Sequence, residues 1–438
     1  MSDDKPNHQI APVDHARNWL QIGGAAAVAA PAPVIRTLDI AGAIDFHLDP
    51  AIEALIFGVS IMAAATLLIW ASEVAEQLVS ATLALAVLAI IAVLPEYAVD
   101  VYFAWTGGSE IGLDPSLRPP GETPAVELAL ANMTGANRLL IGLAWPVVFL
   151  LFWLKTRKKN LAVGSSNSVG LIFLGIATIY SFSIPLRGGL SLIDSAVLIS
   201  LFAAYLVLSS RSPPSEHELI GPAETIAALS PNMRWAAVIA MFAYAAGVVI
   251  AAAEPFANGL VESGESLGIE EFLLVQWVAP LASEAPEFML AAMLALRGRA
   301  GAAMTLLISS KVNQWTLLVG SLPIAYSISG TTFSPLPVDG RQAEEVFLTA
   351  GQSIFAVAVL ASLSFSRREA ILIFVLFATQ LAIPIPEVRI GFGALYITLA
   401  LIWFVSERRD LPVLLRHART TIQGAETGAA GSEERRQL

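Results

Sequence analysis

The chain has 438 residues, of which 56% are hydrophobic and only 14% charged, with a formal net charge of −11. Soluble domains carry roughly 25% charged residues. The composition therefore excludes a soluble globular protein and predicts an all-α integral membrane protein whose surface meets membrane lipid. The chain has no cysteine, which excludes disulfides, thiolate metal sites and cysteine nucleophiles, and no basic stripe points to nucleic acid.

Residues 1–50 read as an N-terminal region. It begins with a polar stretch that lacks a signal peptide's pattern. The alanine-rich segment 18–37 reads either as an extra span or as a surface segment. A membrane-crossing helix needs about 20 apolar residues. Runs of that kind lie near 53–71, 78–105, 126–154, 168–185 and 190–209, within a first unit covering 51–209. A polar, proline-containing linker occupies 210–233. A second unit, 234–385, holds runs near 234–256, 269–296, 301–328, 349–365 and 369–383. One extra span is expected within 386–406, and 407–438 reads as a cytoplasmic tail, disordered beyond Leu414.

Lys and Arg concentrate in cytoplasmic loops. Basic clusters stand at Lys155–Lys159, Arg297/Arg299, Arg367/Arg368 and Arg408/Arg409. Counting spans alternately puts all four on one side. A unit of five spans is odd, so the second unit enters the membrane inverted relative to the first.

Both units carry the same device. In the first, VLAIIAVLPEYAVD places Pro95-Glu96 inside an apolar run. In the second, LVQWVAPLASEAPEF places Pro286-Glu287 likewise. A carboxylate within a bilayer is costly and marks an ion or substrate site by default. A proline beside it interrupts helical bonding and frees backbone carbonyls as ligands. Each Pro-Glu helix is followed by a helix rich in small residues that carries Asn: ELALANMTGANRLLIG with Asn137, and AAMTLLISSKVNQW with Asn313. Small residues let helices approach closely. Hard cations take oxygen ligands, six to eight for Ca²⁺. Glu96 and Glu287, with carbonyls near the two prolines and the side chains of Asn137, Ser283, Ser310, Asn313 and Gln314, supply that chemistry. Asp100, one turn after Glu96, and Glu284 are further candidates. A carboxylate in a low-dielectric surrounding holds protons more tightly than in water. Competition between H⁺, Na⁺ and Ca²⁺ for shared oxygens is then sufficient for antiport, with no cofactor. All five histidines lie outside the spans, so a histidine-ligated metal there is not expected.

These motifs resemble those of the calcium/cation antiporter superfamily, of which the sodium/calcium exchangers are the best-known branch. That family has two inverted repeats, each with a GTSLPE-like motif on one helix and a GSNIFN- or GSNIFD-like motif on the next. The resemblance covers nearly all of 50–385. It implies a cation antiporter with Glu96 and Glu287 as acidic anchors, Gly135-Ala136-Asn137 in the place of GSN, and Ser310 and Gln314 at the serine and terminal positions of the second copy. Val93 and Glu284 stand where the first motif has serine, and Leu140 where the first repeat usually offers an amide or acid. Arg138 and Lys311 enter helices that are normally uncharged there. Both are expected to compensate charge at the site and to alter stoichiometry or ion choice. The function expected is exchange of Ca²⁺ for H⁺ or Na⁺, with a sodium/proton antiporter on the same fold as the rival. An intramembrane enzyme and a passive channel fit less well, since no HExxH or GxGD motif occurs and inversion favours alternating access. The alanine-rich, cysteine-free composition is that expected of a bacterial inner membrane protein.

Overall fold

The computed structural model describes residues 15–43, 48–75, 78, 94–111, 123–165, 167–209, 219, 221–268, 271–296, 298–383, 385–408 and 410–423. The first part of the second expected span, 79–93, lies outside these residues. The described chain is helical almost throughout. In lipid every backbone polar group must be satisfied within its own segment, and apolar runs of this length meet that demand as helices. Seven of the described helices are long and apolar enough to cross a membrane.

The first repeat comprises α3 (Pro50–Ala75), α4 (Leu94–Ser109), α5 (Ala125–Leu139) continuing as α6 (Trp145–Thr156), α7 (Asn167–Ser181) with the short α8 (Ser183–Arg187), and α9 (Leu192–Ser209). It is preceded by α1 (His15–Ala29) and α2 (Pro31–Ile40) and followed by a short α10 (Pro222–Ala227). The second repeat repeats the order: α11 (Pro231–Leu267), α12 (Glu271–Leu296), α13 (Ala300–Asn313) continuing as α14 (Val319–Gly330), α15 (Gly340–Leu360) and α16 (Arg367–Ala382). The extra span is α17 (Pro386–Ser406), and α18 (Asp410–Gln423) comes after it.

Contacts between the halves show the inversion. Gly259 of α11 packs against Ala54 of α3, and Phe256 against Gly58, so these equivalent helices run antiparallel. Two small ribbons tie the loops together. Asn160–Ala162, after α6, pairs antiparallel with Ser364–Ser366, which precedes α16. Gly189–Leu190, before α9, pairs with Leu336–Pro337, after α14. Each ribbon joins the loop after the third helix of one repeat to the loop after the fourth helix of the other. Only inverted copies bring those loops to a common face. The basic clusters meet at the first ribbon. Arg367 N donates to Lys159 O at 3.0 Å, Lys155 Nζ donates to Leu296 O at 2.6 Å, and Arg157 and Arg367 both lie 4.8 Å from the Trp153 ring.

Three expectations are corrected. The tail is helical to Gln423, because Leu414 and Ala418, one turn apart, form a stripe that is buried against the body. The first helix of the second repeat does not end near residue 256, as the run 234–256 implied, but continues to Leu267, and Glu254 within it pairs with Arg36 of α2. The linker is not wholly free of structure. Pro222–Ala227 is helical and docked on α1, where Asn18 donates to Gly221 O at 3.0 Å and to Thr225 Oγ1 at 2.8 Å. The segment 18–37 forms α1 and α2, which pack on α3 and α11.

Candidate cation site

Each repeat's Asn-bearing helix contains one π turn: Leu140–Ala144 between α5 and α6, and Gln314–Leu318 between α13 and α14. Single π turns inside α-helices occur often at functional sites. Local causes are present in both. Pro146 has no N–H to give to the turn before it, and Thr316 Oγ1 donates back to Val312 O at 2.5 Å, a bond that bends helices. The extra residue rotates the remainder of the helix, and Gln314, the first residue of its turn, is fully buried.

Glu96 lies in the first turn of α4 and Asp100 one turn on, both fully buried. Ser283, Glu284 and Glu287 are buried on α12, and Ser310, Asn313 and Gln314 on α13 and its π turn. The Gln314 amide bridges the halves, donating to Glu96 Oε2 at 3.1 Å and to Glu284 Oε1. Glu96 and Glu284 thus accept from the same amide nitrogen. Ser310 lies beside Glu287. Asn132 Nδ2 donates to Asp100 Oδ1 at 2.6 Å, and Tyr97 OH to Asn313 Oδ1 at 3.4 Å.

Several oxygens in this cluster are buried and have no hydrogen-bond partner among the described residues: Glu96 Oε1, Glu284 Oε2, Glu287 Oε2, Asp100 Oδ2, Ser310 Oγ and Gln314 Oε1. A buried carboxylate oxygen without a donor is strongly unfavourable. A hard cation or a proton satisfies it. Among the described residues no three acidic or imidazole groups close on a single point, so a cation here would take further oxygens from Gln314, Ser310 and the backbone.

Not all the expected ligands converge. Ser283 turns its hydroxyl back onto Ala279 O of its own helix at 3.2 Å. Asn137 is engaged with Lys311, whose Nζ donates to Asn137 O at 2.6 Å and Oδ1 at 2.5 Å. The expectation for Arg138 is corrected. One residue further round α5 than Asn137, it points away from the carboxylates to α15, where it forms a buried ion pair with Glu345 at 2.6 Å and stacks 4.8 Å from Trp277. Glu345 also faces Arg389 of α17 at 3.5 Å. Sequence reasoning passed over Asn132 and Tyr97. Asn132 had a signal, being a second amide in the apolar run ELALANMTGAN.

A family model described as sodium/calcium exchanger protein matches residues 51–211 and 237–385. A comparison with curated proteins finds no match. Among solved structures, the chain is similar to the crystal structure of an H⁺/Ca²⁺ exchanger, CAX. The two are 39% identical over 94% of this chain and 100% of that one, with a TM-score of 0.86. The structure of native YfkE is 17% identical, covers 86% of this chain and 99% of its own, and has a TM-score of 0.58. The sodium-calcium exchanger NCX_Mj, soaked with Na⁺ and Sr²⁺, is 18% identical over 76% of this chain and 98% of its own, with a TM-score of 0.51. The last two likenesses are of fold alone.

Proposed function

This chain belongs to the sodium/calcium exchanger protein family, and we propose that it exchanges Ca²⁺ for H⁺ at a midplane site that draws on the carboxyls of Glu96, Glu284 and Glu287 together with oxygens of Gln314, Ser310 and the backbone. The observation that carries this reading is the set of unpartnered carboxyl oxygens, contributed by both inverted repeats and bridged by Gln314. Such oxygens suit a hard divalent cation. When the cation leaves, protons are the simplest replacement, because they restore neutrality without needing six ligands. The 39% identical relative is described as an H⁺/Ca²⁺ exchanger, which supports H⁺ over Na⁺ as the counter-ion. The antiparallel pair α3 and α11 is the natural sliding element for alternating access, in a bacterial inner membrane.

The test is Ca²⁺ uptake into proteoliposomes of the purified protein, with a pH gradient or a Na⁺ gradient imposed separately. The reading expects uptake driven by the pH gradient alone. Uptake driven only by Na⁺ would assign the wrong counter-ion. Sodium-for-proton exchange without Ca²⁺ movement would favour the rival antiporter.

A further inference from the structure

Lys311 is fully buried, at 0% exposure, in the middle of a membrane protein. It stands three positions before the π turn of its repeat, as Asn137 does in the other. The two residues are therefore equivalent under the inversion that relates the repeats, and equivalent positions on central helices meet at the pseudo-two-fold axis. They do meet. The ammonium lies on both oxygens of Asn137, the backbone carbonyl at 2.6 Å and the amide at 2.5 Å, with the Trp315 ring 5.6 Å away. Glu284 and Glu96 are close enough to act on its charge.

We infer that Lys311 is a tethered cation that fills the place of a monovalent co-ion and so excludes Na⁺ from the transport cycle. This inference rests on the cation-exchange reading of the same site. A pair of amides at these positions would offer carbonyl and amide oxygens to a small ion from both sides of the axis. Here one side has become the ion. The oxygens of Asn137 are already turned to a positive charge, and the lysine stem occupies the space a hydrated ion needs. The charge balance agrees. Three carboxylates (Glu96, Glu284, Glu287) and one ammonium leave two negative charges when all are ionised, which one Ca²⁺ or two protons cancel. Asp100, a turn away, accepts from Asn132 on one oxygen while its other is buried without a partner among the described residues, so the balance holds with Asp100 protonated.

The test reads equilibrium binding of ²²Na⁺ to the purified protein, which does not depend on Ca²⁺ transport, and then the effect of Na⁺ on pH-driven Ca²⁺ uptake. The variants are Lys311→Asn, which restores a small amide, Lys311→Gln, a longer amide, and Lys311→Arg, which keeps the charge. The wild type and Lys311→Arg are expected to bind no Na⁺ saturably. At least one amide variant is expected to gain a saturable Na⁺ site that Ca²⁺ displaces, with Na⁺ affinity raised roughly tenfold or more. Saturable Na⁺ binding to the wild type overturns the inference. So does the case in which every amide variant that keeps the wild-type melting temperature binds no Na⁺. Should both amide variants fail to fold, the wild type and Lys311→Arg decide it by the same criterion. A wild type that moves no Ca²⁺ but also binds no Na⁺ would sink the Ca²⁺/H⁺ reading and leave Na⁺ exclusion supported.

Discussion

Gln314 donates its side-chain amide to Glu96 across 218 residues of sequence and so joins the second repeat to the first at the centre of the molecule. It also reaches Glu284. With both N–H groups directed at carboxyls, its own Oε1 is left buried without a donor. Gln314→Leu removes the bridge and one oxygen while keeping the bulk. The expected outcome is a Ca²⁺ affinity weakened by about tenfold, near 1.4 kcal/mol, with Gln314→Glu less affected because it keeps the amide's one oxygen and adds a second in place of the nitrogen. Isothermal titration of Ca²⁺ checks this. Equal loss in both variants would mean that shape, not oxygen supply, is what matters there.

Arg138 and Glu345 form an ion pair with both side chains 3% exposed. Breaking one partner of such a pair leaves a buried charge and costs about 3–5 kcal/mol. Arg389, at 3.5 Å from Glu345, places the cost toward the lower end. Arg138→Met is expected to lower the melting temperature in detergent, and adding Glu345→Gln should recover much of the loss. A double variant no more stable than the single would show that the pair is not coupled.

Gly135 allows α5 to lie directly on α12. A Cβ there would strike the backbone carbonyl of Gln276, with the carbonyl carbon only 2.7 Å away. Backbone cannot swing aside as a side chain does, so Gly135→Ala is expected to destabilise by about 1–3 kcal/mol or more. Gly247 of α11 has nothing within 4 Å of its would-be Cβ. Gly247→Ala should be neutral or stabilise by up to about 1 kcal/mol, from helix propensity alone. Thermal unfolding of the two variants side by side separates packing from propensity.

Inversion predicts opposite exposure for loops at the two ribbons. The chain has no cysteine, so single-cysteine variants label cleanly. Lys158 lies beside the first ribbon, and Phe333, 91% exposed, just before the second. Lys158→Cys should react with a membrane-impermeant thiol reagent from the cytoplasmic side only, and Phe333→Cys from the opposite side only. Reaction of both from one side would contradict the topology.

Much of this architecture was legible in the sequence because bilayers impose simple rules. Apolar length located the spans, and the distribution of Lys and Arg gave the inversion that the two ribbons display. The paired Pro-Glu motifs singled out Glu96 and Glu287, since a carboxylate in an apolar run stands out, and both are buried in the structure. Partner choice was not legible. Arg138 and Lys311 both read as charges near the site, yet one residue's rotation around a helix sends Arg138 to Glu345. Glu345 itself escaped notice because the fourth helix of the second repeat was expected to begin near 349. It begins at Gly340, so Glu344 and Glu345 lie on a helix and not in a loop, and Glu345 is buried. The π turns were equally hidden. They depend on how Pro146 and Thr316 disturb a helix already under way, which spacing alone does not reveal.

The most direct test of the two-repeat site is pH-driven Ca²⁺ uptake by Glu96→Gln, Glu287→Gln and the double variant, with melting temperatures measured in parallel. Glutamine keeps the volume and removes the charge. If one ion is held by carboxylates from both repeats, each single variant should lose roughly a hundredfold in Ca²⁺ affinity, near 2.7 kcal/mol, and the double variant should transport none, all while remaining folded. A folded single variant that transports like the wild type would contradict the account, because the site would then belong to one repeat alone.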